Sequence, residues 1–450
     1  MVKVITYGTY DLLHHGHVKL LERAKALGDY LIVGVTSDDY DKSRGKINNQ
    51  QSLMDRVNAV RATGIADEVI VEEYDGQKID DIRRYGVDIF TVGSDWEGKF
   101  DYLGEYCKVV YLPRTQGVSS TEIRAKNRKI RIGIIGGSGI GKKFIRESQF
   151  VNGCEVVSVC CDDVSVFDGL DVALKTDDID KMLGEVDAVY VVSHPRYHYE
   201  HIKRALQADK HVICESPVAI SADECDELFE LARQRGCVLM DAIKTAYSTA
   251  YERLLLMLKG GIVGNVVSVD ATCTSLKQIP TDDPSYFEKN VNSISAWGPT
   301  AMLPIFQLLG TSYREKHTVA AFADGDKTFD YYTKIDFVYD NATASIKVGK
   351  GIKSEGELIV SGTKGYIYVP APWWKTDYFE VRYENPEENR RCFYQLNGEG
   401  IRYQIVAFLK SIENNSTAVQ SNISEQITRR ISTVIEDFNN RKDFTEIGTK

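Results

Sequence analysis

VKVITYGTYDLLHHGHVKLLERAKAL, residues 2–27, reads as one strand, one turn and one helix. The run 2–8 is rich in Val, Ile and Tyr, which suit a pleated, half-buried surface. Residues 17–27 then space their apolar side chains as a helix does. The pairing recurs down the chain. Strand-like runs at 29–38, 68–73, 88–95 and 108–112 alternate with helix-period segments at 53–63 and 78–86. A last helix over 119–128 opens with a Ser/Thr cap. This alternation predicts a parallel sheet with crossover helices.

A second strand–glycine turn–helix start, KIRIGIIGGSGIGKK (129–143), follows with no Pro- or Ser-rich linker. The two parts are therefore expected to be held close rather than loosely tethered. Alternation continues to about residue 245, and from 262 the segments become longer and β-rich. Asn-Ala at 341–342 and Gly-Thr-Lys-Gly at 362–365 look like hairpin connections, so a large, mostly antiparallel sheet is expected there. The expected order is an α/β, Rossmann-like domain (1–128), a dinucleotide-binding Rossmann domain (129–245) and an α+β open-faced sheet domain (246–450).

Bulk properties narrow the function classes. A chain of 450 residues exceeds one ordinary core, and 43% hydrophobic with 27% charged residues is ordinary for a globular protein. The formal charge of −10 argues against a nucleic-acid partner, since such domains carry a clustered basic excess. No apolar run reaches the ~18 residues of a spanning helix. The start lacks a signal-peptide pattern, and the nine scattered cysteines include no C-x-x-C pair. A reduced, cytoplasmic protein without a zinc site is expected.

Chemistry concentrates first between Gly8 and His17, where strand gives way to helix. A phosphate-bearing ligand docks at such a place, against backbone N–H groups and the positive helix end. His14 and His17 share one face of the first helical turn. Nucleotidyl transfer needs donors around the α-phosphate, each worth roughly 10²–10³ in rate. The bland alternatives are a metal pair, against which no third well-spaced ligand accompanies them, or a helix-capping histidine. Lys46 and Arg56 fit a cationic loop over a triphosphate, or solvated surface charges. Arg114-Thr115-Gln-Gly-Val-Ser119 repeats the turn–helix phosphate pattern, with Ser119 as a plain N-cap its alternative.

Residues 1–126 resemble the glycerol-3-phosphate cytidylyltransferases of teichoic acid synthesis. The likeness is carried by ITYGTYDLLHHGHVKLLERAKALGDYL (5–31), GSDWEGKFDYL (93–103) and VVYLPRTQGVSSTEIR (109–124), with Ser120 where the family usually has Thr. It implies formation of CDP-glycerol, or a related CDP-polyol for cell-envelope polysaccharide, from CTP and glycerol 3-phosphate or another polyol phosphate, with pyrophosphate released. It implies catalytic roles for His14, His17, Lys46 and Arg114, and substrate contacts for Thr9, Tyr10, Asp11, Arg56, Asp95, Thr115 and Ser119. Mg²⁺ would accompany CTP, with no metal ligand assigned to the protein. Trp96 would wall the base or polyol side, or be a core aromatic.

In the second part, Gly136-Gly-Ser138-Gly-Ile-Gly141 follows a strand and precedes Asp162 by about twenty residues, the context of a dinucleotide site. Ser138 stands where the middle glycine is usual, and Asp162 would meet the ribose, which favours NAD over NADP. VDAVYVVSHPRYHYEHIKRALQADKHVICESPVAIS (186–221), GGIVGNVVSVDA (260–271), SGTKGYIYV (361–369) and GIRYQIVAFLKSI (400–412) resemble the Gfo/Idh/MocA oxidoreductases. That resemblance implies NAD or NADP, a contact from Glu215 and a homodimer or higher homo-oligomer.

The departures matter more. The family's catalytic lysine reads as Ser216, its aspartate as Ala296 and its acid/base residue as Thr300. None of these donates or accepts a proton near neutral pH as the originals do. His198, Lys244 and Tyr247 are the candidates for a second site, with a structural pair the alternative for Lys244 and a capped helix start that for His198. Two readings stay open: a bifunctional enzyme, or a transferase fused to a non-catalytic nucleotide-binding or dimerising scaffold.

Overall fold

The computed structural model describes residues 1–38, 51–74, 76–113, 129–280, 283–394, 396–413 and 423–448. The chain forms two compact units, Met1–Lys129 and Ile130–Lys450. The expected helix at 119–128 lies outside the described residues.

The first unit is a five-stranded parallel sheet. Its strands are β1 (Lys3–Gly8), β2 (Tyr30–Thr36), β3 (Glu68–Glu72), β4 (Ile89–Gly93) and β5 (Lys108–Leu112), in the order β3-β2-β1-β4-β5. Adjacent residues of a strand face opposite sides of a sheet. Val4 and Leu31 accordingly join one apolar cluster, under the helices His15–Lys25 and Leu53–Ala62, while Ile5 and Ile32 join another against the helix Gln77–Tyr85. With both faces covered, the strands read as near-continuous apolar runs. The strand order reverses between β1 and β4, and the carboxyl ends of those two strands border the crevice where ligands of such sheets bind.

The second unit opens with a six-stranded parallel sheet. It comprises β6 (Ile130–Ile135), β7 (Cys154–Cys160), β8 (Leu174–Thr176), β9 (Ala188–Val191), β10 (His211–Cys214) and β11 (Leu239–Asp241), ordered β11-β10-β9-β6-β7-β8. A nine-stranded sheet follows in the same unit: β12 (Val266–Thr274), β13 (Glu315–Phe322), β14 (Asp330–Val338), β15 (Thr343–Gly349), β16 (Leu358–Gly362), β17 (Tyr366–Val369), β18 (Tyr378–Arg382), β19 (Arg390–Phe393) and β20 (Phe444–Glu446). Its order is β19-β18-β17-β16-β12-β15-β14-β13-β20. The Asn-Ala and Gly-Thr-Lys-Gly turns join antiparallel neighbours, β14 to β15 and β16 to β17, as expected. The sheet is mixed, because β12 runs parallel to β15 and β13 to β20.

The longest helix of the β-rich region, Ser293–Leu309, follows a short one, Pro284–Lys289. It contains Pro299 and Pro304 and buries most of its length. The buried carboxylate of Asp330 accepts from the N–H of Ile294 in its first turn, at 3.1 and 3.2 Å to the two oxygens, and from the Thr333 hydroxyl at 2.6 Å. Burial pushes this carboxyl up to about 6, against the hydrogen bonds it accepts. Asp330→Ala leaves those donors buried without an acceptor, and the expected loss is ~2–4 kcal/mol. Asp330→Asn keeps one oxygen and should recover part of it. Thermal or denaturant unfolding reads the difference, and an unchanged midpoint in the alanine variant would show that solvent reaches this helix end.

Candidate functional site

In the first unit the turn after β1 is built by left-handed backbone. Tyr10 and Leu12 have φ of 53° and 47°. This reverses the chain and brings His14 to the N-cap of the helix His15–Lys25, with its Nδ1 accepting the Gly16 N–H at 3.1 Å. A neutral ring used this way carries its proton on Nε2. The rings of His14 and His17 lie on one face, as their spacing implies, and stack 3.9 Å apart and 19° from parallel. Asp95 is exposed at the end of β4, in the turn Ser94–Trp96, across the reversal point of the strand order. Thr9 and Asp11 lie in the turn itself. The buried Asp11 carboxylate accepts from the Gln51 N–H at 3.0 Å, and Gln51 Oε1 accepts from the Leu12 N–H at 2.8 Å.

Two residues expected at the substrate, Tyr10 and Arg56, are buried. Tyr10 is 2% exposed, and its ring meets His17 edge-on at 5.5 Å. It belongs to the core and supports His17 from below. Arg56 is wholly buried: Nη1 donates to the carbonyls of Thr9 (2.7 Å) and Thr36 (2.8 Å), and Nη2 to Asp38 (2.5 Å). Its guanidinium ties together the carboxyl ends of β1 and β2. Lys46, Arg114, Thr115 and Ser119 lie outside the described residues.

A residue that sequence periodicity assigned only to a helix, Lys78, proves to be buried beside this edge. It pairs with Glu72, sits 4.7 Å over the Tyr7 ring, and lines a small cavity with Gly8, Trp96 and Phe100. A lysine at the start of an amphipathic helix normally reads as solvated, so nothing in the pattern marked it.

In the second unit the glycine turn has the geometry a dinucleotide needs. Gly136 has φ of +113°, and a Cβ there would stand 2.5 Å from the Ser193 nitrogen, so only glycine fits. Ser138 is the N-cap of the helix Gly139–Ser148 but makes no capping bond, and its buried Oγ has no hydrogen-bond partner. Gly141 faces Ile134 and Phe167 at the packing contact of helix on strand. Asp162 is exposed just past β7. An orphaned hydroxyl beside an uncapped helix start fits a bound phosphate.

Beside that helix start opens a cavity of about 480 Å³, lined by Glu215, Ser216, Lys244, Ala296 and Thr300 among others. The three positions that depart from the oxidoreductase pattern thus face one space. The Ser216 hydroxyl donates to the buried Asp241 at 3.2 Å, and Thr428 donates to the same oxygen at 3.2 Å. Burial pushes the Asp241 carboxyl up to about 7. Glu215 is likewise pushed up by burial and accepts from the Tyr190 hydroxyl. Burial lowers the Lys244 ammonium, against the charge of Glu399.

His198 and Tyr247, the other second-site candidates, are both buried. His198 is 1% exposed, with Nδ1 on the Pro217 carbonyl (2.7 Å) and Nε2 on that of Ser193 (2.9 Å), so it braces the strand ends. The buried Tyr247 hydroxyl donates to the Asp241 carbonyl at 2.8 Å. Of the three candidates only Lys244 lines the cavity.

Known proteins divide along the same line. Residues 5–126 match the cytidylyltransferase-like family, and residues 130–242 match the Gfo/Idh/MocA oxidoreductase family with an NAD-binding Rossmann fold. Over 124 residues the chain is 52% identical to glycerol-3-phosphate cytidylyltransferase of Bacillus spizizenii, spanning 28% of this chain and 95% of that protein. The Staphylococcus aureus protein of the same name is 46% identical over 124 residues, spanning 28% of this chain and 93% of its own length. Among solved structures, the 3-ketoreductase KijD10 of Actinomadura kijaniata, in complex with NADP and TDP-benzene, matches with a TM-score of 0.63 at 17% identity. That match covers 72% of this chain and 100% of the other, and at such identity it is a likeness of fold. Among the described residues no helix is long and apolar enough to cross a membrane.

The Asp241 carboxyl makes stability depend on pH. Its folded value, about 7, lies above the ordinary ~3.9, so the folded protein holds the extra proton between the two. Its contribution therefore falls as pH rises through that window. Asp241→Asn should flatten the decline of the unfolding midpoint between pH 5 and 8. A variant with the wild-type slope would show that Asp241 ionises in place at its usual pH.

Proposed function

Because the chain belongs, through its first unit, to the cytidylyltransferase-like family, we propose that this unit joins CTP to glycerol 3-phosphate, forming CDP-glycerol and releasing pyrophosphate. The observation that carries the reading is the stacked pair His14 and His17 on the first turn of a helix, at the edge where the strand order reverses. A phosphate oxygen of glycerol 3-phosphate attacks the α-phosphorus of CTP, the bond to the β-phosphate breaks, and pyrophosphate leaves. His14, with Nδ1 engaged by Gly16, holds an Nε2–H donor for a phosphate oxygen. His17, supported by Tyr10, supplies the second donor as charge grows on the α-phosphate. Thr9, Asp11 and Asp95 border the nucleotide, and Lys46, Arg114, Thr115 and Ser119 are assigned to the triphosphate by family resemblance. Mg²⁺ accompanying CTP would offset the charge of its phosphates.

His17→Ala should lower kcat far more than it weakens CTP binding, with roughly 2–4 kcal/mol of transition-state stabilisation lost. Pyrophosphate release with CTP, Mg²⁺ and a panel of polyol phosphates measures both the variant and the acceptor. Well-folded protein that is inactive with every polyol phosphate would overturn the proposal, and an unchanged kcat in the variant would leave His17 only a packing role.

The second unit, in this reading, binds a nicotinamide dinucleotide at the Gly136 turn. The dinucleotide's pyrophosphate would lie on the helix start at Ser138 and Gly139, and Asp162 would meet the ribose. When bound, that cofactor supplies hydride chemistry. Ser216, Ala296 and Thr300 provide no acid or base of the usual kind, so turnover of free sugars or inositols should be slight or nil. Asp162→Ala should weaken NAD binding followed by nicotinamide fluorescence. Robust NAD reduction with a free sugar would refute the non-catalytic reading and direct attention to Lys244 and the Ser216–Asp241 pair.

A further inference from the structure

The cavity of the second unit carries a charge pattern that neither hydride transfer nor dinucleotide binding accounts for. Three ammonium groups converge on one carboxylate: Glu399 lies 2.8 Å from Lys375, 2.9 Å from Lys143 and 3.3 Å from Lys244. All four side chains line the 480 Å³ cavity. The lysines come from distant parts of the chain: the helix Gly139–Ser148, the turn Lys244–Tyr247 and the turn Trp373–Lys375. Their convergence is a product of the tertiary fold. Even with Glu215 counted as ionised, three positive groups face two carboxylates, and the space retains a positive excess.

Glu399 itself sits in strained backbone. Its φ is 54°, in the left-handed region that disfavours side chains, between Gly398 at 56° and Gly400 at 91°. Burial works to raise its carboxyl, but hydrogen bonds from Lys375 and Lys143 and the charge of Lys244 hold it at about 2. The carboxylate thus occupies a place built for negative charge. Ser275 and Trp297 also line the cavity, with the hydroxyl-bearing Thr300 and Ser216, and among the described residues the buried Ser275 Oγ and Trp297 Nε1 have no hydrogen-bond partner.

We propose that this cavity binds the phosphomonoester of a small polyol, its phosphate taken by Lys143, Lys244 and Lys375 alongside or in place of Glu399, and its hydroxyls met by Ser275, Trp297 and Thr300. Three separated ammonium groups suit a tetrahedral dianion, since lysine acts as a point charge and lacks the planar fork of arginine. The volume lies in the range of small-molecule pockets, ~300–1,000 Å³. The inference goes beyond the reading of either unit given above, and its charges and distances all belong to the second unit.

Tryptophan fluorescence isolates the site. The chain has four tryptophans: Trp96 in the first unit, and Trp297, Trp373 and Trp374 in the second. Trp297 and Trp374 line the cavity with ring centroids 4.9 Å apart. In the full-length Trp96→Phe protein, glycerol 3-phosphate should give a saturable fluorescence change, and glycerol none. The response should survive saturating NAD. Lys375→Met should weaken the binding about tenfold, as loss of one charge-assisted bond does. Glu399→Gln, which removes the competing charge and keeps the side chain's shape, should tighten it several-fold.

A flat titration, an equal response to glycerol, or weaker binding in Glu399→Gln would overturn the proposal. Loss of the response in saturating NAD would also overturn it, assigning the lysines to the cofactor's own phosphates. Pyrophosphate release reports on the first unit alone, so failure there and failure here are told apart.

Discussion

A parallel strand can return to its sheet only through a crossover, so every loop at one edge follows a strand end and every helix start points at that edge. This constraint puts backbone N–H groups and the positive end of a helix at the same place, and each unit puts its candidate chemistry there. In the first unit the edge is kept rigid from beneath. The buried guanidinium of Arg56 bonds the carbonyls of Thr9 and Thr36, and so locks the ends of β1 and β2 together. The left-handed turn through Tyr10 and Leu12 then presents the two stacked imidazoles at that edge.

The second unit obeys the same constraint with its chemistry rearranged. Gly136 is held to glycine by the Ser193 backbone, and the uncapped helix start beside it has an orphaned hydroxyl. The lysine of the oxidoreductase pattern is missing at Ser216, yet an ammonium returns to the cavity from Lys244, at the end of a later strand. With Lys143 and Lys375 it forms a basic wall compensated by Glu399. Three lysines facing Glu399 in a cavity whose usual proton-transfer positions hold Ser216, Ala296 and Thr300 are the basis of the anionic ligand proposed above.

Much of this was legible in one dimension. The strands and helices of both Rossmann-like parts follow from local periodicity, and the stacked imidazoles follow from a spacing of three on a helix. The glycine turn is also local, because strand, turn and helix are contiguous. What periodicity could not report was the burial of side chains whose surroundings come from other elements. Tyr10 and Arg56, expected at the substrate, and His198 and Tyr247, candidates for a second site, are buried in core packing or on backbone carbonyls.

The sequence by itself therefore determined the order of folds, the place of the phosphate-binding turns and the absence of the usual proton-transfer set at Ser216, Ala296 and Thr300. Only the tertiary structure decided which charges meet. Lys143, Lys244, Lys375 and Glu399 are scattered over more than half the chain, and no local pattern relates them. The reason is physical: periodicity reports which face of an element is buried, while the pairing of charges depends on the distance between elements far apart in sequence.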